Sequence, residues 1–171
     1  MLTLSEIEAK VKVLAQRIGA PENSLPTYGY SEQTARPHIE VSSVAYFYVI
    51  AERGQELNRY AALELDELLY HVFSDVTFEL SMKYELAHRI GTQDSRRIHF
   101  RRQVELLSML SSAWAERESQ EHEEILKRHP FDDFVSIRAA FSQELREQGN
   151  SSESAWKIAC EKYPLPKAAG R

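Results

Sequence analysis

The stretch Val44–Ile90, VAYFYVIAERGQELNRYAALELDELLYHVFSDVTFELSMKYELAHRI, changes its hydrophobic period once, and that change decides the fold. In its first part Tyr46, Tyr48 and Ile50 alternate with Phe47 and Val49, as in a strand with two apolar or aromatic faces. Gly54 supplies a turn, after which QELNRYA (55–61) returns as another strand. From Leu63 the spacing is helical. Leu65, Leu69, Val72, Val76, Leu80 and Ala87 fall on one side of a helix, flanked by Leu68, Phe73 and Ile90, so one helix is expected over 65–90, stopped by Gly91.

Outward from this stretch the same two patterns recur. Upstream, RPHIEV (36–41) sets Ile39 and Val41 on one face of a strand, which completes a small antiparallel meander of about three strands with the second one central. At the start, Leu4, Ile7, Val11, Leu14, Ala15 and Ile18 have helical spacing, and Thr3 with Glu6 has the pattern of a capping box. Tyr28-Gly29-Tyr30 forms an aromatic turn that covers the sheet edge or faces a partner.

Downstream, Asp94 or Ser95 caps a second long helix expected to reach Arg128, before Pro130. A further helix is expected in FDDFVSIRAAFSQEL (131–145), with Phe134, Ile137, Ala140, Phe141 and Leu145 on its buried stripe, and a short one over 152–163. The fold class is α+β: an N-terminal helix, the meander, then a mostly helical C-terminal half with two long helices. One domain is expected over 1–171, made of helix plus meander (1–62), a helical part (63–163) and a loosely held tail (164–171).

Composition narrows the function. The 171 residues carry a net charge of −5, which argues against a general nucleic-acid binder, since phosphate neutralisation needs a basic face. An acidic surface favours a basic partner. The start lacks a charged and apolar secretory pattern, and no apolar run approaches the roughly 18 to 20 residues that span a bilayer. With one cysteine, Cys160, no internal disulfide forms, and a cytoplasmic protein is expected.

On the long helix Glu67, His71, Asp75 and Glu79 recur every four residues, and Glu85-x-x-His88 follows. Carboxylates and imidazoles at this spacing can hold a metal, so a helical metal-binding protein or metalloenzyme using Glu67, His71, Glu85 and His88 is the alternative reading. Against it, a step of four overshoots one turn, so the ladder drifts around the helix instead of converging. A solvated flank is the better reading, with no metal and no cofactor. There is no phosphate-cradling glycine loop and no Gly-x-Ser-x-Gly elbow, and no catalytic residue is assigned.

Aromatic residues off the core stripe are better suspects, because Tyr and Phe among polar groups are what protein interfaces are enriched in. Tyr70, Phe78 and Tyr84, with Glu85, are candidate partner contacts on the long helix; the acidic run Glu116, Glu118, Glu121, Glu123 and Glu124 is the other candidate. Arg96, Arg97, Arg101 and Arg102 crowd the start of the following helix. They are expected to pair with carboxylates, the alternative being an anionic ligand or RNA.

The succession Pro26-Thr27-Tyr28-Gly29-Tyr30, Arg36-Pro37-His38-Ile39-Glu40-Val41, Glu52-Arg53-Gly54, Asp66-Glu67-Leu68-Leu69-Tyr70 and Asp94-Ser95-Arg96-Arg97 resembles the immunity protein 63 family, as far as about Pro130. Where that family often has an aromatic residue after Leu-Leu-Tyr, this chain has His71. The resemblance implies a bacterial, non-enzymatic protein that binds and blocks the toxin domain encoded beside it, and it implies no catalytic residues. Acidic groups would steer a basic toxin, and aromatic anchors would supply most of the affinity.

Overall fold

The computed structural model describes residues 1–167; the end of the expected tail, 168–171, lies outside the described residues. The chain divides into two compact units, Met1–Leu80 with Gln103–Glu116, and Ser81–Arg102 with the chain from Arg117 onward.

The first unit holds helix α1 (Leu4–Arg17), strands β1 (Thr27–Tyr28), β2 (His38–Val41), β3 (Tyr46–Glu52) and β4 (Gln55–Ala62), and the start of helix α2 (Leu65–Ala87). The capping box read at the N-terminus is present, with Thr3 and Glu6 satisfying one another's backbone donors. The strands lie in the order β1-β2-β3-β4. Strands β2, β3 and β4 are the expected antiparallel meander, and β1 adds a fourth strand, parallel to β2. The Tyr28-Gly29-Tyr30 turn therefore covers the β2 edge. Gly29 has φ +78°, which favours glycine, and a Cβ there would meet Leu4 Cδ1 at 2.9 Å, so the tip of Leu4 would have to turn aside.

Arg53 and Gly54, both at positive φ, make the two-residue turn that joins β3 to β4. The register then slips by one between Ile50 and Ala51, leaving Leu57 as the extra residue of a bulge. Tyr46 and Tyr48 on the inner face of β3 join Ile39, α1 residues Ile7 and Val11, and α2 residues Leu68, Val72, Phe73 and Val76 in the core.

The second long helix of the sequence reading is two helices, α3 (Arg96–Ser108) and α4 (Ser112–Arg128). Their junction, within the first unit, explains the break. The Leu107 carbonyl accepts from both Leu110 and Ser111, tightening the last turn, and the Ser111 hydroxyl then accepts from the Trp114 amide to start α4. Arg17 donates to the freed Met109 carbonyl. Trp114 stacks on Phe73 and donates its indole N–H to Asp66. Helix α2 is thus packed on more than one side in this unit, which buries Tyr70 in the core.

In the second unit α5 (Val135–Glu147) and α6 (Ser152–Lys162) pack together, joined by Gly149 at φ +95° and capped by Ser151. The stripe expected for α5 is only half-buried where it is covered at all, and Phe134 and Ala140 are exposed. The side chain at its centre is Arg138, 1% exposed. Its guanidinium grips both Asp132 oxygens, at 2.7 and 2.8 Å, and donates to the carbonyls of Tyr163 and Pro164.

Candidate functional site

Strand β3 is buried on both faces, at Tyr46 and Tyr48 and at Val49 and Ala51, whereas β4 is exposed all along 55–61. The helices of the first unit therefore cover the middle of the sheet and leave β4 projecting. Side chains paired across β3 and β4 share a face, so Tyr60 lies beside the buried Tyr48 on the helix side, and Arg59 beside Val49 on the other.

On the helix side, Tyr60 stacks on the imidazole of His71 with ring centroids 4.6 Å apart. His71 Nε2 is 3.2 Å from Glu67, one helical turn back. One turn on, Asp75 accepts a 2.9 Å hydrogen bond from the Tyr48 hydroxyl. Burial, and then the neighbouring Asp75 charge, push the Tyr48 phenol well above its ordinary range, so it stays a donor. Glu67, His71 and Asp75 thus line the open flank between α2 and β4, with Leu57 and Leu63 exposed at either end of the strand. His71 is an aromatic partner to Tyr60 at the position where the resemblance leads one to expect an aromatic residue.

The opposite face of the sheet is a ladder of charge. His38 Nε2 lies 3.1 Å from Glu40, Glu40 takes Arg59 at 2.8 Å, and Arg59 is held again by Glu56 and lies over Phe47. The Arg59 hydrogen bond holds the Glu40 carboxyl below its usual range.

Of the residues singled out from sequence, Phe78 is 51% and Tyr84 37% exposed, while Tyr70, Glu85 and Glu118 are buried. Tyr70 corrects the helical-wheel reading, because α2 is covered on its second side by the α3–α4 region of its own unit. Tyr84 stacks on His88 and lies beneath the Arg102 guanidinium. Glu85 is gripped by Arg89 through two hydrogen bonds, and this is the first cause of its lowered pKa.

Glu116, Glu121, Glu123 and Glu124 are exposed on α4. Arg117 and Lys127 pair with Glu121 and Glu124, so that stretch is less acidic than its glutamates alone suggest. Arg96 pairs with Asp94 and donates to the carbonyls of His129 and Pro130; Arg97 pairs with Asp133. The expected carboxylate partners thus come from the loops beside α3 and α5. The metal alternative finds no cluster: Glu67 and His71 fall in the first unit, Glu85 and His88 in the second, and among the described residues no group of three His, Cys, Asp or Glu could hold a metal ion.

The second unit also buries a polar cluster, around Ser81 and His99, that no sequence motif announces. The Ser81 hydroxyl is 2.7 Å from His99 Nδ1, and His122 stacks on Phe100 and lies 3.3 Å from Glu118. Ser81 is 0% and His99 4% exposed, so this hydroxyl–imidazole pair is shielded from solvent. Burial, reinforced by His122, lowers the His99 pKa from the ordinary 6.5, with Glu85 and Glu118 opposing.

The folded state thus disfavours the proton that the unfolded chain takes up, and stability declines as the pH falls below 6.5. Carboxylates with lowered pKa, such as Asp132, lose their contribution only at lower pH, beneath 3.8. Urea midpoints between pH 7.5 and 5 are expected to fall in the wild type and to flatten in His99→Gln; parallel profiles would remove His99 as the cause.

Among the described residues no helix is long and apolar enough to cross a membrane. The family model described as immunity protein 63 matches residues 42–124. That segment contains β3, β4, all of α2 and α3 and most of α4, and with them the whole open flank. The resemblance is borne out over this segment, while the Pro26–Tyr30 and Arg36–Val41 pieces lie outside it. Searches of curated proteins and of solved structures give no match.

Proposed function

We propose that this chain, with immunity protein 63 sequence over residues 42–124, binds a cognate bacterial toxin domain and neutralises it by covering its active site or substrate groove. The observation that carries the reading is that the matched segment holds the projecting strand β4 and its stacked Tyr60–His71 pair beside the Glu67 and Asp75 carboxylates. An aromatic residue already held by stacking loses little rotamer freedom on binding, and the acidic border suits a basic partner. The protein acts by occupancy and needs no catalytic group of its own. Of the residues proposed from sequence, Phe78 and Tyr84 retain exposed surface for contact.

The test is co-expression with the toxin domain encoded beside the chain, scored by survival and by the affinity of the purified pair. Tyr60→Ala is expected to cost about 2 kcal/mol of binding, or roughly thirtyfold, with the fold intact. Wild-type affinity in that variant would move the interface away from β4. No binding and no protection by the wild type would end the immunity reading.

A further inference from the structure

The free edge of β4 has a feature that its role as the last strand does not require. In an antiparallel pair, alternate residues turn both backbone groups away from the partner strand. Arg59 is one of these, because its amide donates 2.8 Å to the side-chain oxygen of Asn58 instead of to β3. Ala61, two residues on in unbroken register, turns the same way. The edge is long, with β4 running Gln55–Ala62, and it contains no proline. Past the Leu57 bulge, the backbone of this edge is blunted by the Asn58 side chain over the Arg59 amide.

Resting on the immunity reading above, we infer that β4 receives an extended, basic segment of the cognate toxin domain as a fifth strand, with Asn58 swinging aside to release the Arg59 amide. Main-chain pairing supplies the docking geometry, and the side chains on alternate positions supply choice. The added strand runs alongside the flank bordered by Glu67 and Asp75, so a lysine or arginine of the incoming segment on the Tyr60 side meets carboxylates. On the other face the one guanidinium of Arg59 is shared by two carboxylates, Glu40 and Glu56, so that face too offers the newcomer more negative charge than positive.

The experiment uses the whole chain and the inactivated toxin domain encoded beside it. Ala61→Pro removes a free-side amide without removing a ladder bond to β3, and Ala61→Val keeps the amide as its control. Ala61→Pro is expected to weaken toxin binding by about tenfold or more and Ala61→Val by much less. Hydrogen exchange of the wild-type complex is expected to slow at 57–62, and Asn58→Ala to strengthen binding.

Equal affinity of a folded Ala61→Pro, or unchanged exchange at 57–62 in a complex that does form, overturns strand addition and leaves the immunity reading standing. Absence of any complex with the wild type overturns both. Concentration-dependent self-association abolished by Ala61→Pro would assign the edge to a second copy and overturn the toxin as its occupant.

Discussion

Arg138→Ala is expected to lower the unfolding free energy by about 3 kcal/mol, because it strips a buried cation from a carboxylate and two carbonyls at once. Asp132 would lose both hydrogen bonds from the guanidinium, and the carbonyls of Tyr163 and Pro164 would lose the donor that ties the end of α6 to α5. Asp132 is itself depressed in pKa, by the Arg138 hydrogen bond first, so the variant should also titrate this carboxyl nearer its ordinary value. Denaturant unfolding of the wild type and of Arg138→Ala checks the energy, and Arg138→Lys asks how much depends on the planar fork. A change under about 0.5 kcal/mol would mean that the pair only breaks even against its desolvation.

Phe73→Ala is expected to cost about 3 to 5 kcal/mol, the range for emptying a fully buried aromatic site. Phe73 has no exposed surface and stacks on Trp114 at 6.1 Å, so its removal opens a cavity at the meeting of α2 and α4 within the first unit. The loss should appear in thermal and denaturant unfolding, and tryptophan fluorescence should report the change around Trp114. Because this packing supports the helix that carries His71 and Asp75, toxin protection should fall in the cell in proportion to the unfolded fraction. Tyr60→Ala, by contrast, should lose protection with little loss of stability. An unaltered unfolding midpoint in Phe73→Ala would contradict the packing of Phe73 against Trp114.

Local chemistry made much of the fold legible. The alternation of Tyr46–Ile50, the Arg53-Gly54 turn, the Thr3–Glu6 capping box and the apolar stripe of α2 are properties of neighbouring residues, and each is found at or near its expected place. The break at Met109–Ser111 was missed because the apolar spacing from Val104 through Trp114 continues across it. Its signal was the serines at 108 and 111, whose hydroxyls compete for backbone partners. The short β1 was missed because a parallel bridge of two residues has too little sequence to show a period.

The candidate site was legible only in its parts. The ladder Glu67–His71–Asp75 was visible, and its reading as a polar flank agrees with where these residues lie, but nothing in its spacing pointed to Tyr60 or Tyr48. The sequence by itself determined the order and kind of the elements, because periodicity, caps and turns act between residues a few positions apart. Only the tertiary structure decided which second faces are covered. Tyr70 and Glu85 look exposed on a single helix yet are buried, Arg138 lies beneath an apparently apolar stripe, and β4 projects with Tyr60 held by His71. The physical reason is that a helix or strand records in its own sequence the face it must bury, whereas burial of any other face depends on partners brought in from far along the chain.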